Sequence, residues 1–243
     1  MDVMVVRERY KVVRVPDSRE NYAFAEAVDI LDREMGGCLL NLYEGPLLRQ
    51  YLPCFDQLKG CAALENVFLD GESLVAVFQD CGGTPIDQFF YQGDRHSWQD
   101  RLYYAGQLCQ QVLNLADYPP DVACALLLSD NVRVDPANRA ICLRFHAVPM
   151  EDMNPRETAY LAGDQLSKIL RPRLSSPREE LHFLDELNRG MCASPVQLYA
   201  LWRVRSEEIQ GAYQALERKN VVRRWCSLLV GRVKWWFARR RKR

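Results

Sequence analysis

Between Leu126 and His146 the chain reads LLLSDNVRVDPANRAICLRFH, a stretch dense in groups that can do chemistry. Asp130, Asn131 and Asp135 supply carboxylate and amide oxygens, the donors a hard divalent cation takes, and they are the one cluster here able to hold such an ion. Asn131 follows Ser129-Asp130 and also fits a turn, its side chain bonded to local backbone. Arg144 has two readings: an ion pair with Asp130 or another acid, or a clamp on an anion such as a nucleotide phosphate. His146 and the other histidines, His96 and His182, have no Cys or carboxylate at metal-ligand spacing, so surface or packing roles are expected. No Ser or Cys stands in a nucleophile motif such as G-x-S-x-G.

The elements that must position these groups can be read from periodicity. VMVVRERYKVVRV, residues 3–15, is rich in Val with interspersed charges and predicts one or two strands, followed by the turn signal PDSREN. AFAEAVDILDREMGG places Phe24, Val28 and Leu31 at helical spacing and predicts a helix stopped by Gly36-Gly37. CLLNLYEG is a short strand, and PLLRQYLPCFDQLKG a helix that Pro53 should kink or divide. ALENVFLDG and ESLVAVFQDC are two strands joined at an Asp-Gly turn. GGTPIDQFF then breaks the sheet pattern. Leu102, Ala105, Leu108, Cys109, Val112 and Leu115 recur at threes and fours and predict a long amphipathic helix ending near Pro119-Pro120. After the polar stretch come three more helical segments, ETAYLAGDQLSKILRP, PREELHFLDELNRGM and SPVQLYALWRVRSEEIQGAYQALERKN.

This order, strands first, a Gly-Gly-Thr-Pro hinge, then helices interrupted by one hairpin, resembles the protein-kinase fold over roughly residues 3–210. The resemblance implies an α+β, bilobal architecture: a strand-rich N-lobe over 1–81, a helical C-lobe over 82–217, and a basic amphipathic tail over 218–243. Phosphoryl transfer in that family needs a glycine-rich loop, a Lys held by a Glu, an Asp that orients the accepting hydroxyl, and an Asn and an Asp on magnesium. Asn131 matches the Asn. Five positions before it, where the Asp is required, stands Leu126, so that H-R-D has become Cys124-Ala125-Leu126. D-F-G has become Arg144-Phe145-His146, the expected Lys strand CLLNLYEG has no Lys, and the first glycine of the chain is Gly36, too late for a glycine loop. ETAYLAGDQL resembles the buried helix of the family, with Thr158 at its Asp position. Leu accepts no proton and Arg repels a divalent cation. The resemblance therefore implies a pseudokinase with no catalytic residues and no cofactor. An atypical nucleotide-binding phosphotransferase would depend on Asp130, Asn131 and Asp135, and a soluble α+β adaptor unrelated to kinases would have no bilobal cleft.

The formal charge is zero, 32 Lys/Arg against 32 Asp/Glu, but it is unevenly placed. From Arg218 to Arg243 there are eleven Lys/Arg and no acid, which leaves 21 basic and 32 acidic residues, a net of −11, in 1–217. Nine scattered cysteines, an odd number with no C-x-x-C, point to reduced, buried thiols and a reducing compartment. The start, MDVMVVRERYKVV, is charged early and lacks an export signal's apolar core, and no long uncharged apolar run predicts a span.

In the tail, VVRRWCSLLVGRVKWWFARRRKR, a helical wheel puts Val222, Trp225, Leu229, Val233, Trp236 and Phe237 on one face and Arg224, Ser227, Gly231, Lys234 and Arg241 on the other. A basic amphipathic helix with Trp at its border fits an anionic membrane surface, with Arg239, Arg240 and Arg241 at the head groups. RRRKR equally fits the cytoplasmic flank of a transmembrane helix in a longer chain. Nucleic acid is disfavoured, since the acidic body would repel a duplex. The expectation is a cytoplasmic, non-catalytic module at the inner face of a membrane that docks an unidentified protein partner. In layout it is similar to the membrane-anchored pseudokinase subunit of bacterial type VII secretion systems.

Overall fold

The computed structural model describes residues 4–32, 36–128 and 130–240, with side chains as far as Phe237. Its first part is a six-stranded antiparallel sheet: β1 (Val5–Val6), β2 (Tyr10–Arg19), β3 (Tyr22–Asp29), β4 (Gly37–Tyr43), β5 (Leu64–Asp70) and β6 (Ser73–Gln79), in the order β1-β2-β3-β4-β6-β5. Helix α1 (Gly45–Gln57) connects β4 to β5. The sheet curls so that its first strands reach its far edge: Tyr10 stacks on Phe68 at 6.1 Å and the Arg7 guanidinium sits 4.6 Å over the same ring. Inside the curl, Tyr10, Ala25, Ala27, Leu40, Val75 and Val77 form a small core of their own. The opposite face of the sheet, with Phe24, Leu39, Tyr43 and Phe78, joins α1 and the rest of the molecule in the main core.

Three local expectations are corrected. The stretch from Ala23 is strand β3 and not a helix, and of the residues at helical spacing only Phe24 is buried, while Val28 and Leu31 are exposed. Both faces of β3 are covered, so Ala25 and Ala27 on one side and Phe24 on the other erase the strand's alternation. The presumed turn PDSREN is mostly strand: β2 runs on through Pro16 to Arg19, and the chain reverses at Glu20-Asn21, with Asn21 at φ 59°. Pro16 is accommodated because pairing with β3 is irregular between Arg14 and Asp17. Finally, α1 passes through Pro53 undivided, with Pro53 on its solvent side.

The second part begins with β7 (Thr84–Pro85), which pairs with β8 (Val132–Asp135) of a hairpin completed by β9 (Ala140–Leu143). Gly83 is required at this crossing: its φ is +73° and a Cβ there would lie 2.7 Å from the Val134 carbonyl oxygen. Helices α2 (Ile86–Phe89), α3 (Trp98–Asn114), α4 (Pro120–Leu126), α5 (Pro155–Ile169), α6 (Arg178–Asn188) and α7 (Pro195–Glu217) pack around the buried faces of α3 and α5. Ser97 caps α3 by accepting from the Asp100 amide at 3.0 Å, and Asn154 caps α5 by accepting from the Arg156 amide at 2.9 Å. Helix α8 (Val221–Arg240) lies against α6. All nine cysteines are free thiols, with Cys38, Cys109 and Cys124 buried. Among the described residues no helix is long and apolar enough to cross a membrane.

Candidate functional site

The polar stretch is assembled by α4, the β8–β9 hairpin and the loop that follows β9. Asn131, at the head of β8, is buried and donates its side-chain amide to the carbonyls of Ala125, 2.7 Å, and His146, 2.9 Å. Its own carbonyl accepts from the Arg144 amide at 2.8 Å. It thus clamps the end of α4 to the loop after β9, which extends the local-backbone reading of this residue. Asp130 is exposed and its carbonyl accepts from Arg133 Nε. Asp135 lies at the far end of β8, roughly 13 Å along a strand from Asn131. There its carboxylate accepts from the Ala137 and Asn138 amides, closing the hairpin turn. The structure therefore does not bring Asp130, Asn131 and Asp135 together, and among the described residues no group of three or more His, Cys, Asp or Glu has the arrangement of a metal site.

Arg144, Phe145 and His146 project toward the sheet. The Arg144 guanidinium pairs with Glu26 of β3 at 2.5 Å, lies 3.6 Å from Asp80 just after β6, and stands 5.2 Å over the Phe24 ring. Of its two readings the ion pair is realised, with Glu26 and not Asp130 as partner. Phe145 stacks on Phe78 at 4.4 Å and His146 on Phe24 at 4.0 Å, so side chains of the loop occupy the junction between sheet and helices. Burial lowers the pKa of the His146 imidazole against an opposing pull from Asp17, whose carboxylate is 3.5 Å away. With a cation at the position where a magnesium ligand would stand and the Asn131 amide engaged with backbone, the residues present do not fit a magnesium–nucleotide site.

Two residues in this junction carry more of its geometry than their sequence context suggests. Asn41, fully buried in the middle of β4, donates to the Phe145 carbonyl at 2.8 Å and accepts from the Ala147 amide at 2.9 Å and the Tyr22 hydroxyl at 3.1 Å. It lies on the strand where the resemblance expects Lys. Tyr43, on the same face of β4, donates to the Ala147 carbonyl at 2.5 Å, and Tyr51 of α1 stacks on it at 4.4 Å while accepting from the Met150 amide. Burial pushes the Tyr51 hydroxyl up to about 12 and raises Tyr43 as well, so both stay protonated. The available sequence signal was a lone Asn in the apolar strand CLLNLY.

Leu126 ends α4 fully buried in the core, so at the position expected for a proton-orienting carboxylate there is an aliphatic packing residue. Two residues earlier, Cys124 Sγ contacts Thr158 Oγ1 of α5 at 3.3 Å. That contact joins the end of α4 to the first turn of α5.

In the tail, α8 turns a mixed side to the body. Leu228 is buried, Gly231 lies beside Arg178, Arg232 donates to the Arg173 carbonyl at 3.0 Å, and Trp235 Nε1 donates to Asp185 at 2.7 Å. Trp225, Leu229, Val233, Trp236 and Phe237 face outward with 43–58% of their surface exposed. The side chains of Arg239 and Arg240 and all of Arg241 lie outside the described residues.

No protein-family profile matches the chain. No curated protein matches it either. Among solved structures it is similar to the kinase domain of PknI from Mycobacterium tuberculosis: 12% identity and a TM-score of 0.56, covering 85% of this chain and 99% of that one. A second structure of that domain gives 13% identity and 0.57, with 85% and 98% covered, and a double mutant gives 13% and 0.57, with 87% and 99% covered. At such identity the likeness shows the fold alone: the chain has a protein-kinase-like fold, with the strand-rich part as N-lobe and the helical part as C-lobe.

Proposed function

We propose that this chain is a non-catalytic, kinase-like interaction module held at the cytoplasmic face of a membrane by α8, where it docks a partner protein. The observation that carries the reading is Arg144: a guanidinium paired with Glu26 at 2.5 Å where a magnesium ligand would stand, flanked by Phe145 and His146 stacked into the cleft. Leu126 in the core and a β4 strand without a lysine point the same way. The outward apolar side of α8, within a segment of eleven cations and no acids, supports the membrane half. Each cation near an anionic surface contributes on the order of 1 kcal/mol. The same order of parts, a kinase-like body leading into a membrane-directed segment, is that of the type VII secretion pseudokinase subunit.

The test is a thermal-shift titration of the full chain with ATP, with and without magnesium, beside flotation on vesicles with and without anionic lipid. A ligand that binds only the folded state raises the Tm with concentration. The expected result is no magnesium-dependent rise, together with salt-sensitive flotation on anionic vesicles. A magnesium-dependent rise would overturn the non-catalytic reading, and flotation indifferent to lipid charge would overturn the membrane reading.

A further inference from the structure

We infer that the hollow under the first turns of α8 binds the head group and upper acyl region of one anionic phospholipid, with Arg224 as the ligand of its phosphate. The inference rests on the membrane reading above and gives it a specific lipid contact. The hollow measures about 730 Å³, within the range of small-molecule sites. Its mouth is ringed by Leu174 from the loop before α6 and by Val221 and Trp225 from α8, each more than half exposed, and its wall includes the buried Leu228. Single exposed apolar residues are ordinary, but three from two segments around one opening mark a place where apolar matter is received.

The polar part of the hollow has the charge such a ligand needs. Asp94, buried among its lining residues, is already held by Arg101 at 2.6 Å and Arg173 at 2.5 Å. Glu180 behind them accepts from the Tyr213 hydroxyl. Against these two carboxylates stand four guanidiniums, since Arg232 reaches the Arg173 carbonyl and Arg224 lines the hollow itself. Arg224 makes no ion pair among the described residues. A free phosphate would satisfy Arg224 but leave Leu174, Val221 and Trp225 in water. A neutral lipid would fill the apolar part but leave the excess charge unanswered. An anionic phospholipid does both, and Trp225 joins the hollow to the outward row of Leu229, Val233 and Trp236, along which its acyl chains would continue into the bilayer.

Isothermal titration of the full chain with a short-chain phosphatidylglycerol, kept monomeric below its micelle concentration, tests the site apart from any bilayer. Saturation at one molecule per chain is expected. Arg224→Gln should weaken it about tenfold or more, the loss of one charge-assisted hydrogen bond. Arg223→Gln, an adjacent cation on the solvent side of α8, should change it by less than about twofold. Ser175→Trp, which narrows the mouth without altering charge, should also abolish binding in a chain whose Tm is unchanged. Equal binding of glycerol phosphate would reduce the hollow to an anion site and overturn the proposal, as would equal binding of the matching phosphatidylcholine. Flotation on anionic vesicles without monomer binding would refute the hollow and leave the membrane reading intact, whereas loss of both would sink the two together.

Discussion

Replacing Asn41 with Leu keeps the volume of the side chain and removes every hydrogen bond it makes across the lobes. Three buried groups lose a partner: the Phe145 carbonyl, the Ala147 amide and the Tyr22 hydroxyl, at 2.8, 2.9 and 3.1 Å. The hydroxyl can rotate to seek another acceptor, but the two backbone groups are fixed by the loop. A buried polar group left unpaired costs about 1–3 kcal/mol, so the two together cost about 2–6 kcal/mol. Apolar burial of the new Leu offsets part of this, leaving a net loss of about 3 kcal/mol. In a chain of this size 1 kcal/mol moves the Tm by about 2–4 °C, so the expected fall is about 6–12 °C. Urea unfolding followed by circular dichroism reads the loss, with the exposed Gln110→Ala on α3 as a control expected within about 0.5 kcal/mol. Amide exchange supplies a local readout: the Ala147 amide, protected in the parent by Asn41 Oδ1, should exchange faster in the variant. A loss below about 1 kcal/mol with unchanged exchange at Ala147 would refute the idea that Asn41 fastens this loop to the sheet.

Asp94→Asn should be more damaging, by about 3–5 kcal/mol, because Arg101 is only 5% exposed and would keep its charge with a neutral partner. Asp94→Asn combined with Arg101→Met should recover part of that loss in urea unfolding, and a double variant no better than the single one would show that the charge is not what hurts. His146 gives a pH dependence whose sign follows from its surroundings. Its folded-state pKa is lowered, first by burial, so the unfolded chain binds the extra proton once the pH drops below about 6.5. Stability is full above that value and is lost as the pH falls toward the folded pKa. His146→Phe, which retains the stack on Phe24, should flatten that part of the urea-midpoint profile, and an unchanged slope would assign the dependence elsewhere, His182 with its own lowered pKa being the next candidate.

The legible parts of the fold were those with one wet face or with a turn signal at their ends, as for the doubly buried β4 after Gly36-Gly37 and β6 after Asp70-Gly71. The alternation or helical spacing of α3, α5, α6 and α7 survives because each leaves a polar side in solvent, and β5 with β6 was readable from an apolar run and a tight turn. Strand β3 and helix α4 were not readable for the same reason in opposite guises. Both faces of β3 are buried, and five residues in a row from Val122 to Leu126 are buried in α4, so neither shows a period. The site was legible in kind and not in partner. Arg144 calls for an acid, but the acid that answers, Glu26, is 118 residues away on the strand whose pattern reads as helix. Asp130 and Asp135 looked like neighbours because they are close in sequence, yet an extended β8 separates them. Asn41 gave no motif because its two partners across the lobes are backbone groups, which leave no trace in side-chain identity.

The orientation of α8 bears on the balance of forces in the whole molecule. A helix that served only the stability of its own body would turn its largest apolar side chains inward. Here the inward side is Leu228, Gly231, the part-buried Trp235 held by its indole N–H, and one arginine, while the larger share of the apolar residues, Trp225, Leu229, Val233, Trp236 and Phe237, stays about half exposed. Full burial of such a side chain is worth about 1.5–3 kcal/mol, so half-burial forgoes about 1 kcal/mol each and roughly 5 kcal/mol over the five. That is comparable with the whole stability of many domains. The polar anchors on the inner side, Trp235 to Asp185 and Arg232 to the Arg173 carbonyl, fix the helix in rotation and keep the apolar row from rolling inward to collect that energy. On the proposed membrane reading an external apolar phase would collect it, and the cations that accompany the row would favour an anionic one.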